Sequence, residues 1–323
     1  MRVNQAVKIT VAARDNGMRG EFGRKMSEVG AAGKSEQNYE RDFLRDAKSR
    51  LGVGFETYPV PNIVRDAAKV TRNQDIAVLL PFEIAHLLWF HNPGKFARLF
   101  PAARIVKYWQ RALEDREEWF LRHPIYDLVA EAAASGGDLS MFLPISLFGD
   151  DGCLKKTRSM GTITWYPSVF TEALVLESRI PVYVVPRHIL VPGFTECKLQ
   201  EALSWAFEAW LTGRYPSCDH LGEAWRSSSW RGHHQGDLLC GGRIGVFTGA
   251  TADQMWSAQH FRWSTVWGTN ECCYRCYADK SLGALNFTTE GPFPERSNDA
   301  YLDGPGAAAS PLSSIPGFHI STQ

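Results

Sequence analysis

Apolar positions recur at helical spacing in the first part of the chain and predict mainly helical structure there. Pro81 is compatible with this because proline is tolerated in the first turn of a helix. A stretch with two prolines, residues 58–61, is instead predicted to be extended. The predicted helices cover residues 35–50, 82–90 and about 103–121. We therefore predict a helical region over residues 36–135.

After Ser135-Gly136-Gly137 the pattern changes to short apolar runs of strand length. Three strands, a helix, a strand and a helix follow, which is the order of a ribonuclease-H-like domain and of many other α/β folds. We therefore predict an α/β fold with a mixed, ribonuclease-H-like sheet over residues 136–265. The predicted strands are Leu143–Phe148, Gly161–Trp165, Val182–Val185 and Ile244–Thr248, and the helices are Leu199–Leu211 and Ala252–Trp263.

Both ends of the chain lack a periodic pattern. Residues 1–35 are predicted to be a disordered basic tail, and residues 291–323 a tail rich in Gly, Pro and Ser. Over residues 1–50, eleven Lys and Arg stand against seven Asp and Glu. This local surplus favours an acidic partner such as nucleic acid, although a solvated tail is the simpler interpretation.

Composition narrows the class of protein. The 323 residues carry 35 basic and 35 acidic side chains, so non-specific coating of nucleic acid is disfavoured while a local basic groove is allowed. No apolar run reaches the roughly 18 residues of a membrane helix, and the first twenty residues do not form a secretory signal. Seven cysteines are too few and too scattered for a disulfide framework. We expect an intracellular protein with no membrane partner.

Gly149-Asp150-Asp151-Gly152 directly follows the predicted strand Leu143–Phe148. Carboxylates projecting from a strand end are ligands that Mg²⁺ or Mn²⁺ prefers, and such ions support phosphoryl transfer. The same four residues also make a good β-turn, so a turn is the alternative interpretation.

Cys272-Cys273-Tyr-Arg-Cys276 contains one C-x-x-C, a spacing that lets two thiolates bind one tetrahedral Zn²⁺. It supplies half a site, and no second C-x-x-C accompanies it. Other ligands would come from residues such as Cys240, Cys218, His260 or His319. Plain buried or exposed thiols are the alternative. We predict a structural zinc segment over residues 266–290 with Cys273, Cys276 and Cys272 as its ligands.

His233-His234, in a loop rich in Ser, Gly and Trp, could bind metal or stack on bases, and a solvated loop is the simpler interpretation. Motifs for P-loop nucleotide hydrolysis, dinucleotide binding, zinc proteolysis and serine hydrolysis are not found in the sequence.

The order of several short motifs resembles transposon-derived proteins related to CACTA and KDZ-class DDE transposases, from about Leu80 to the end of the chain. The motifs are Gly149-Asp150-Asp151 followed by residues 159–165, Val191-Pro192-Gly193 before a helix, residues 270–276 and residues 310–319. This resemblance implies a ribonuclease-H-like core in which three acidic residues hold two Mg²⁺ ions. It also implies that the C-x-x-C belongs to a zinc-binding insertion.

The resemblance carries over unevenly. Asp150 matches the first acid and Asp151 is its neighbour, whereas Gly249-Ala250 stands where the family has Gly-Asp after the fourth strand. Asp253 would replace that acid only if the strand end shifts by about a helical turn. The family pattern also continues beyond the position of Gln323.

We therefore expect a truncated, inactive transposase-like protein, intracellular and nuclear, that retains zinc and a weak affinity for DNA; the sequence is compatible with a homo-oligomer. Two alternatives stay open. One is an active phosphodiester transferase or nuclease that uses Mg²⁺ or Mn²⁺ at Asp150 and Asp253, with a third acid such as Asp237 or Glu271. The other is a zinc-stabilised interaction module without a nucleic-acid role.

Overall fold

The computed structural model describes residues 56–66, 68–155, 158–169, 179–252 and 311–318; within residues 151–160 it describes the backbone alone. The predicted basic tail, the helices over 35–50 and 252–263 and the Cys-containing segment 266–290 lie outside these residues, apart from Ala252.

The N-terminal part of the described chain forms short strands where we predicted a helical region. The strands are β1 (Tyr58–Val60), β2 (Ile63–Arg65), β3 (Thr71–Asn73) and β4 (Ile76–Val78). β1 pairs with β4 and β2 with β3, both antiparallel. Pro59 and Pro61 disfavour a helix because each removes an N–H donor and restricts the residue before it. The prediction of an extended stretch over residues 58–61 is confirmed by β1, whereas the inclusion of residues 62–80 in a helical region was wrong.

Helices follow, as predicted, from Pro81 onward. They are α1 (Pro81–His91), α2 (Pro93–Leu99), α3 (Ala102–Asp115), α4 (Glu118–Leu121) and α5 (Tyr126–Ser135). Proline occupies the start of α1 and of α2, and the Asn92 side chain caps α2 by accepting from the Lys95 N–H at 3.1 Å. The predicted helix over 103–121 is divided in two because Arg116 adopts a left-handed conformation, with φ of 49°.

The main sheet contains four strands. They are β5 (Phe142–Lys155), β6 (Arg158–Pro167), β7 (Ile180–Pro186) and β8 (Ile244–Ala252), and the helix α6 (Thr195–Leu211) lies between β7 and β8 in the chain. The spatial order is β7-β6-β5-β8, with β8 parallel to β5 and the other pairs antiparallel. An α/β protein with a mixed sheet is therefore confirmed.

β5 runs further than its apolar pattern predicts. The segment Gly149–Gly152 lies inside β5, because its residues pair in turn with Ile163, Thr162, Gly161 and Met160 of β6. We predicted that the strand ends at Phe148 and offered a β-turn after it as the alternative to a site; the strand end and the turn were wrong. The cation site at Asp150 stays a prediction. Ladder hydrogen bonds to β6 satisfy the backbone here and outweigh the turn preference of Gly and Asp.

The two faces of the sheet are packed differently. α6 covers one face, where Trp210 lies edge-on to Trp165 with ring centroids 5.7 Å apart. α3 reaches part of the other face, where the side chain of Tyr108 lies next to Thr248. The Trp109 indole N–H also donates to the Phe142 carbonyl at 2.7 Å. Beyond this contact the second face opens towards Asp150.

A short C-terminal segment, residues 311–318, packs against α6 and β8. Leu312 and Ile315 are buried, Phe318 stacks on Phe247 at 5.8 Å, and the hydroxyls of Ser314 and Ser204 are 2.7 Å apart. We predicted a tail over 291–323. For residues 311–318 that prediction was wrong, because three apolar side chains in eight residues find a core surface.

A buried ion pair joins α1 to the long connection between α6 and β8. Arg231 donates from Nε and Nη2 to the two carboxylate oxygens of Glu83, at 2.6 and 2.9 Å, and the Tyr215 hydroxyl donates to Glu83 as well. Glu83 is 3% and Arg231 9% exposed. Burial opposes the charge of Arg231, but the hydrogen bonds to Glu83 raise its pKa. Arg231 is therefore charged inside the core.

We expect Glu83→Gln to lower the free energy of unfolding by about 3–5 kcal/mol, because it leaves the Arg231 charge buried without a counter-charge. Urea unfolding followed by circular dichroism would measure this. The matched control is Asp115→Asn, which breaks the exposed pair between Arg111 and Asp115 and should have a far smaller effect. Equal effects of the two substitutions would contradict a structural role for the buried pair.

Candidate functional site

Asp150 is an exposed carboxylate on the central part of the main sheet. It pairs with Thr162 on β6, and it follows Gly149, which is paired with Ala252 at the end of β8. An antiparallel pair such as β5 and β6 can leave one face of a sheet solvated, and Asp150 lies on such a face. The fold thus presents this side chain on a rigid element.

The surroundings of Asp150 are polar. Side chains alternate along a strand, so Phe148 lies on the same face as Asp150. Their neighbours on β6 and β8 are half-buried and carry hydroxyl groups. We call this surface the hydroxyl face, and it consists of Phe148, Asp150, Thr162, Thr164, Tyr166 and Thr251. The opposite face is apolar, with Leu147, Ile163 and Trp165 all buried.

Hydrogen bonds hold the hydroxyl face in place. The Tyr166 hydroxyl and Thr251 Oγ1 are 3.2 Å apart, and Thr251 Oγ1 also donates to the Leu147 carbonyl at 3.3 Å. These bonds connect β6 to β8 across β5. The face is therefore pre-organised, a property that binding sites need.

Further along the same side, beneath α3, three hydroxyls form a buried cluster. Ser146 Oγ lies 2.8 Å from Ser168 Oγ and 3.0 Å from Thr248 Oγ1, and Thr248 donates to the Ile145 carbonyl at 3.1 Å. The hydroxyls satisfy one another. We interpret this cluster as structural.

Arg179 brings a positive charge to the hydroxyl face. It directly precedes β7, and its guanidinium carbon lies 3.5 Å from the centroid of the Phe148 ring. Such a cation–π contact fixes the direction of the arginine side chain. Phe148 and Asp150 are two residues apart, so their Cα atoms are separated by about 6–7 Å. One cation and one anion thus lie close together on the same surface.

The other predicted catalytic residues are described only in part. Asp151 lies in β5 opposite Gly161. Asp253 lies outside the described residues, and in the sequence it directly follows Ala252.

The length of β8 changes the position of the residues that we compared with the second acid of the family. We predicted that it ends at Thr248, which placed Gly249-Ala250 after it, but the strand continues to Ala252. Ala250 is 4% exposed and pairs with Leu147, three residues before Asp150 and about 10 Å away. An acid at position 250 would therefore face the apolar side. Its replacement by alanine does not decide whether Asp150 has an acidic neighbour.

Asp237 lies too far from Asp150 to share a cation with it. It is in the connection that leads into β8, where its carboxylate contacts His234 Nδ1 at 2.9 Å. The first residue of β8, Ile244, pairs with Phe142, whereas Asp150 is eight residues further along β5, about 26 Å away. Asp237 thus lies near the opposite end of the sheet, and our suggestion of it as a third acid was wrong. Glu271 is outside the described residues.

The metal-ligand predictions receive no support from the described part of the chain. Cys272, Cys273 and Cys276 lie outside it, as do His260 and His319. Cys240 is buried, and burial raises the pKa of its thiol, which makes it a poor source of thiolate. The described residues contain no group of three or more His, Cys, Asp and Glu side chains arranged to hold a metal.

Of the paired histidines, His234 packs against neighbouring rings and His233 is exposed. His233 and His234 end the short helix α7 (Trp230–His234), and the His234 ring lies 4.6 Å from that of Trp230. His86 on α1 lies nearby and accepts a hydrogen bond at Nδ1 from the Cys240 N–H, at 3.1 Å. Because Nδ1 must be unprotonated to accept, this contact favours neutral His86.

Sequence analysis missed Arg179 and the threonines of the hydroxyl face. A signal was present in Thr162-Ile163-Thr164-Trp165-Tyr166, which alternates polar and apolar residues and so predicts one polar face. Arg179 had no comparable signal, because its contact with Phe148 crosses from one strand to another.

None of the helices within the described ranges is long and apolar enough to cross a membrane.

We expect the protein to lose stability as the pH falls from about 7.5 to 5, in part through His86. Burial, followed by the charge of His234, lowers the pKa of His86, so the unfolded chain binds its proton first and acid favours unfolding. Urea unfolding at a series of pH values should show a weaker pH dependence in His86→Gln than in the wild type. The matched substitution His233→Gln, at an exposed histidine that is not among the groups acting on His86, should affect the slope less; an unchanged slope in His86→Gln would contradict the role of His86.

Comparison with known proteins adds no relative. No family model matches the chain, and neither the curated proteins nor the solved structures contain a match.

Proposed function

We propose that this protein is a transposon-derived, ribonuclease-H-like phosphodiester transferase or nuclease that holds a divalent cation at Asp150. The supporting observation is the position of Asp150, exposed on β5 and one residue beyond the last described pair between β5 and β8. The resemblance implies an acid on the first strand and another after the fourth. With β8 extending to Ala252, Asp253 is the residue after the fourth strand as described.

The strand order supports the same proposal. Three antiparallel strands, a helix and a fourth strand follow one another, and the fourth strand pairs in parallel with the first. Adjacent strands are about 4.8 Å apart, a separation that lets acids on them share one cation. The geometry therefore weakens the expectation of inactivity that we drew from Ala250.

The chemistry of the site follows from its side chains. A carboxylate at Asp150 suits Mg²⁺ or Mn²⁺, which would polarise a phosphodiester and stabilise the attacking and leaving oxygens. Thr162 offers a hydroxyl on the same face for a bond with a phosphate oxygen, whereas the Thr164 hydroxyl donates to the Phe148 carbonyl at 3.4 Å. In this proposal Asp150 is a metal ligand and Thr162 orients the nucleic acid.

We expect Mg²⁺- or Mn²⁺-dependent cleavage or joining of DNA by the wild type, and its loss in Asp150→Asn. The amide keeps the size of the side chain but removes the charge that binds the cation, so activity should fall at least about 100-fold. A gel assay on labelled DNA with each metal and with EDTA would measure this. Asp127→Asn, at an exposed acid of α5, is the matched control and should retain activity. Equal activity in Asp150→Asn and the wild type would contradict the proposal.

A second candidate function is the inactive transposase-like protein with weak DNA affinity. It is favoured by the fact that Asp150 is the only acidic residue of the hydroxyl face among the side chains the structure describes. This second function predicts DNA binding that is equal with and without divalent metal, and it predicts no cleavage. The first function predicts metal-dependent cleavage or joining.

For the C-x-x-C segment we propose a structural zinc site at Cys273 and Cys276, with Cys272 as a third ligand. The support is the spacing of the cysteines alone. Mass spectrometry of the native protein should find about one zinc per chain, and the Cys273→Ser/Cys276→Ser variant should lose both the zinc and thermal stability. Cys197→Ser, at a half-buried cysteine of α6, is the control. A native protein without stoichiometric zinc would contradict the site.

A further inference from the structure

Arg179 is the one cationic side chain that the described structure places over the hydroxyl face by an aromatic contact. Its guanidinium carbon is 3.5 Å from the centroid of the Phe148 ring. It forms no ion pair with any described carboxylate, Asp150 included, and it is half-buried. Arg231 and Arg111 differ in this respect, because Arg231 is bound to Glu83 in the core and Arg111 is paired with Asp115.

The contact with Phe148 prepares Arg179 to bind an anion. A guanidinium on an aromatic ring is weakly hydrated and held in one direction, while its N–H groups at the edge stay available for two parallel bonds. Two parallel N–H groups match two oxygens of a phosphate. The position costs little entropy on binding, because the ring and the start of β7 already restrict the side chain.

The neighbours of Arg179 favour a phosphodiester chain as the ligand. Thr162 carries a half-buried hydroxyl on the same face, whereas Thr164 donates its hydroxyl to the Phe148 carbonyl at 3.4 Å; Pro181 and Val184 on β7 are exposed beside them. A guanidinium with a neutral hydroxyl beside it suits the oxygens of a phosphodiester, which carries one charge per unit. Asp150 would repel such a ligand unless a cation lay between them, which agrees with a metal-dependent site.

We propose that Arg179, held on Phe148, is a positioning residue that binds a backbone phosphate of the nucleic acid whose phosphodiester reacts at Asp150. That the bound nucleic acid reacts at Asp150 rests on the proposed function, whereas the contact between Arg179 and a phosphate does not. Single-stranded and duplex nucleic acid both have such a phosphate backbone, so the test uses both.

The test is the salt dependence of nucleic-acid binding by the full chain. Fluorescence anisotropy with a labelled duplex and with the matching single strand would be recorded between about 50 and 200 mM salt, with a fixed concentration of Mg²⁺ and again in EDTA. Removal of one phosphate contact should reduce the slope of log K against log salt by about 0.9 for duplex or about 0.7 for single strand. A probe whose slope is the same in Arg179→Ala and in the wild type is not bound through Arg179.

Three variants separate the charge of Arg179 from its position. Arg179→Ala should weaken binding roughly tenfold and reduce the slope. Arg179→Lys should keep most of the slope but lose affinity, and Phe148→Leu should lose affinity although the arginine remains. Arg72→Ala, at an exposed arginine of β3, is the control and should match the wild type. Thermal unfolding would check that each variant is folded.

Two results would overturn the inference. One is an Arg179→Ala variant that is folded and binds with the affinity and slope of the wild type. The other is a wild type that binds neither probe, which would mean that the face does not take nucleic acid. The inference and the proposed function fail separately. Wild-type cleavage with no effect of Arg179→Ala overturns only the inference, and a reduced slope in Arg179→Ala without metal-dependent cleavage overturns only the proposed function.

Discussion

Backbone pairing on both edges of β5 is the constraint on which the rest of the structure depends. β6 pairs antiparallel with β5 along most of its length, and β8 pairs in parallel with the other edge up to Gly149. These two ladders fix the register, and because side chains alternate along a strand, the register decides which residues face the core. Leu147 is thereby buried under α6, while Phe148 and Asp150 face the other way. A shift of one residue would bury the carboxylate and expose the apolar set.

The helices on either side turn this sheet into a one-sided site. α6 covers the apolar face completely enough to bury Trp165 and Trp210, whereas α3 covers the second face only as far as Tyr108 and Thr248. The part that no described helix covers is the hydroxyl face. The connection from α6 to β8 is held away from it, at the other end of the sheet, by the buried pair of Glu83 and Arg231. Stability and the candidate chemistry therefore depend on different residues.

The pattern of apolar residues predicted the α/β class and the position of most elements, because burial of apolar side chains dominates helices and strands alike. It failed where backbone pairing prevails over residue preference. Gly149 to Gly152 have poor strand preference, yet they belong to β5 because β6 pairs with them. β8 likewise passes Gly249 and ends four residues later than its apolar run. Residues 311–318 were missed for another reason, since a tail that is rich in Pro and Gly gives no sign of the surface on which Leu312 and Ile315 pack.

Asp150 is the one residue of the candidate site that the sequence alone could predict. Asp150 stands out in the sequence, whereas its partners come from three strands and a connection, and their proximity depends on register. Arg179 lies more than twenty-five residues from Phe148 in the sequence, so no local pattern relates the two. The role given to Asp253 rests on the end of β8, which the apolar pattern placed at Thr248.

The most direct test of the account is a Mn²⁺ titration of the purified protein followed by electron paramagnetic resonance, in which bound Mn²⁺ disappears from the spectrum of the free ion. The account predicts saturable binding by the wild type and by Asp127→Asn, and its loss in a folded Asp150→Asn variant. Equal Mn²⁺ binding by the wild type and Asp150→Asn, or no binding by the wild type, would contradict a cation site at Asp150.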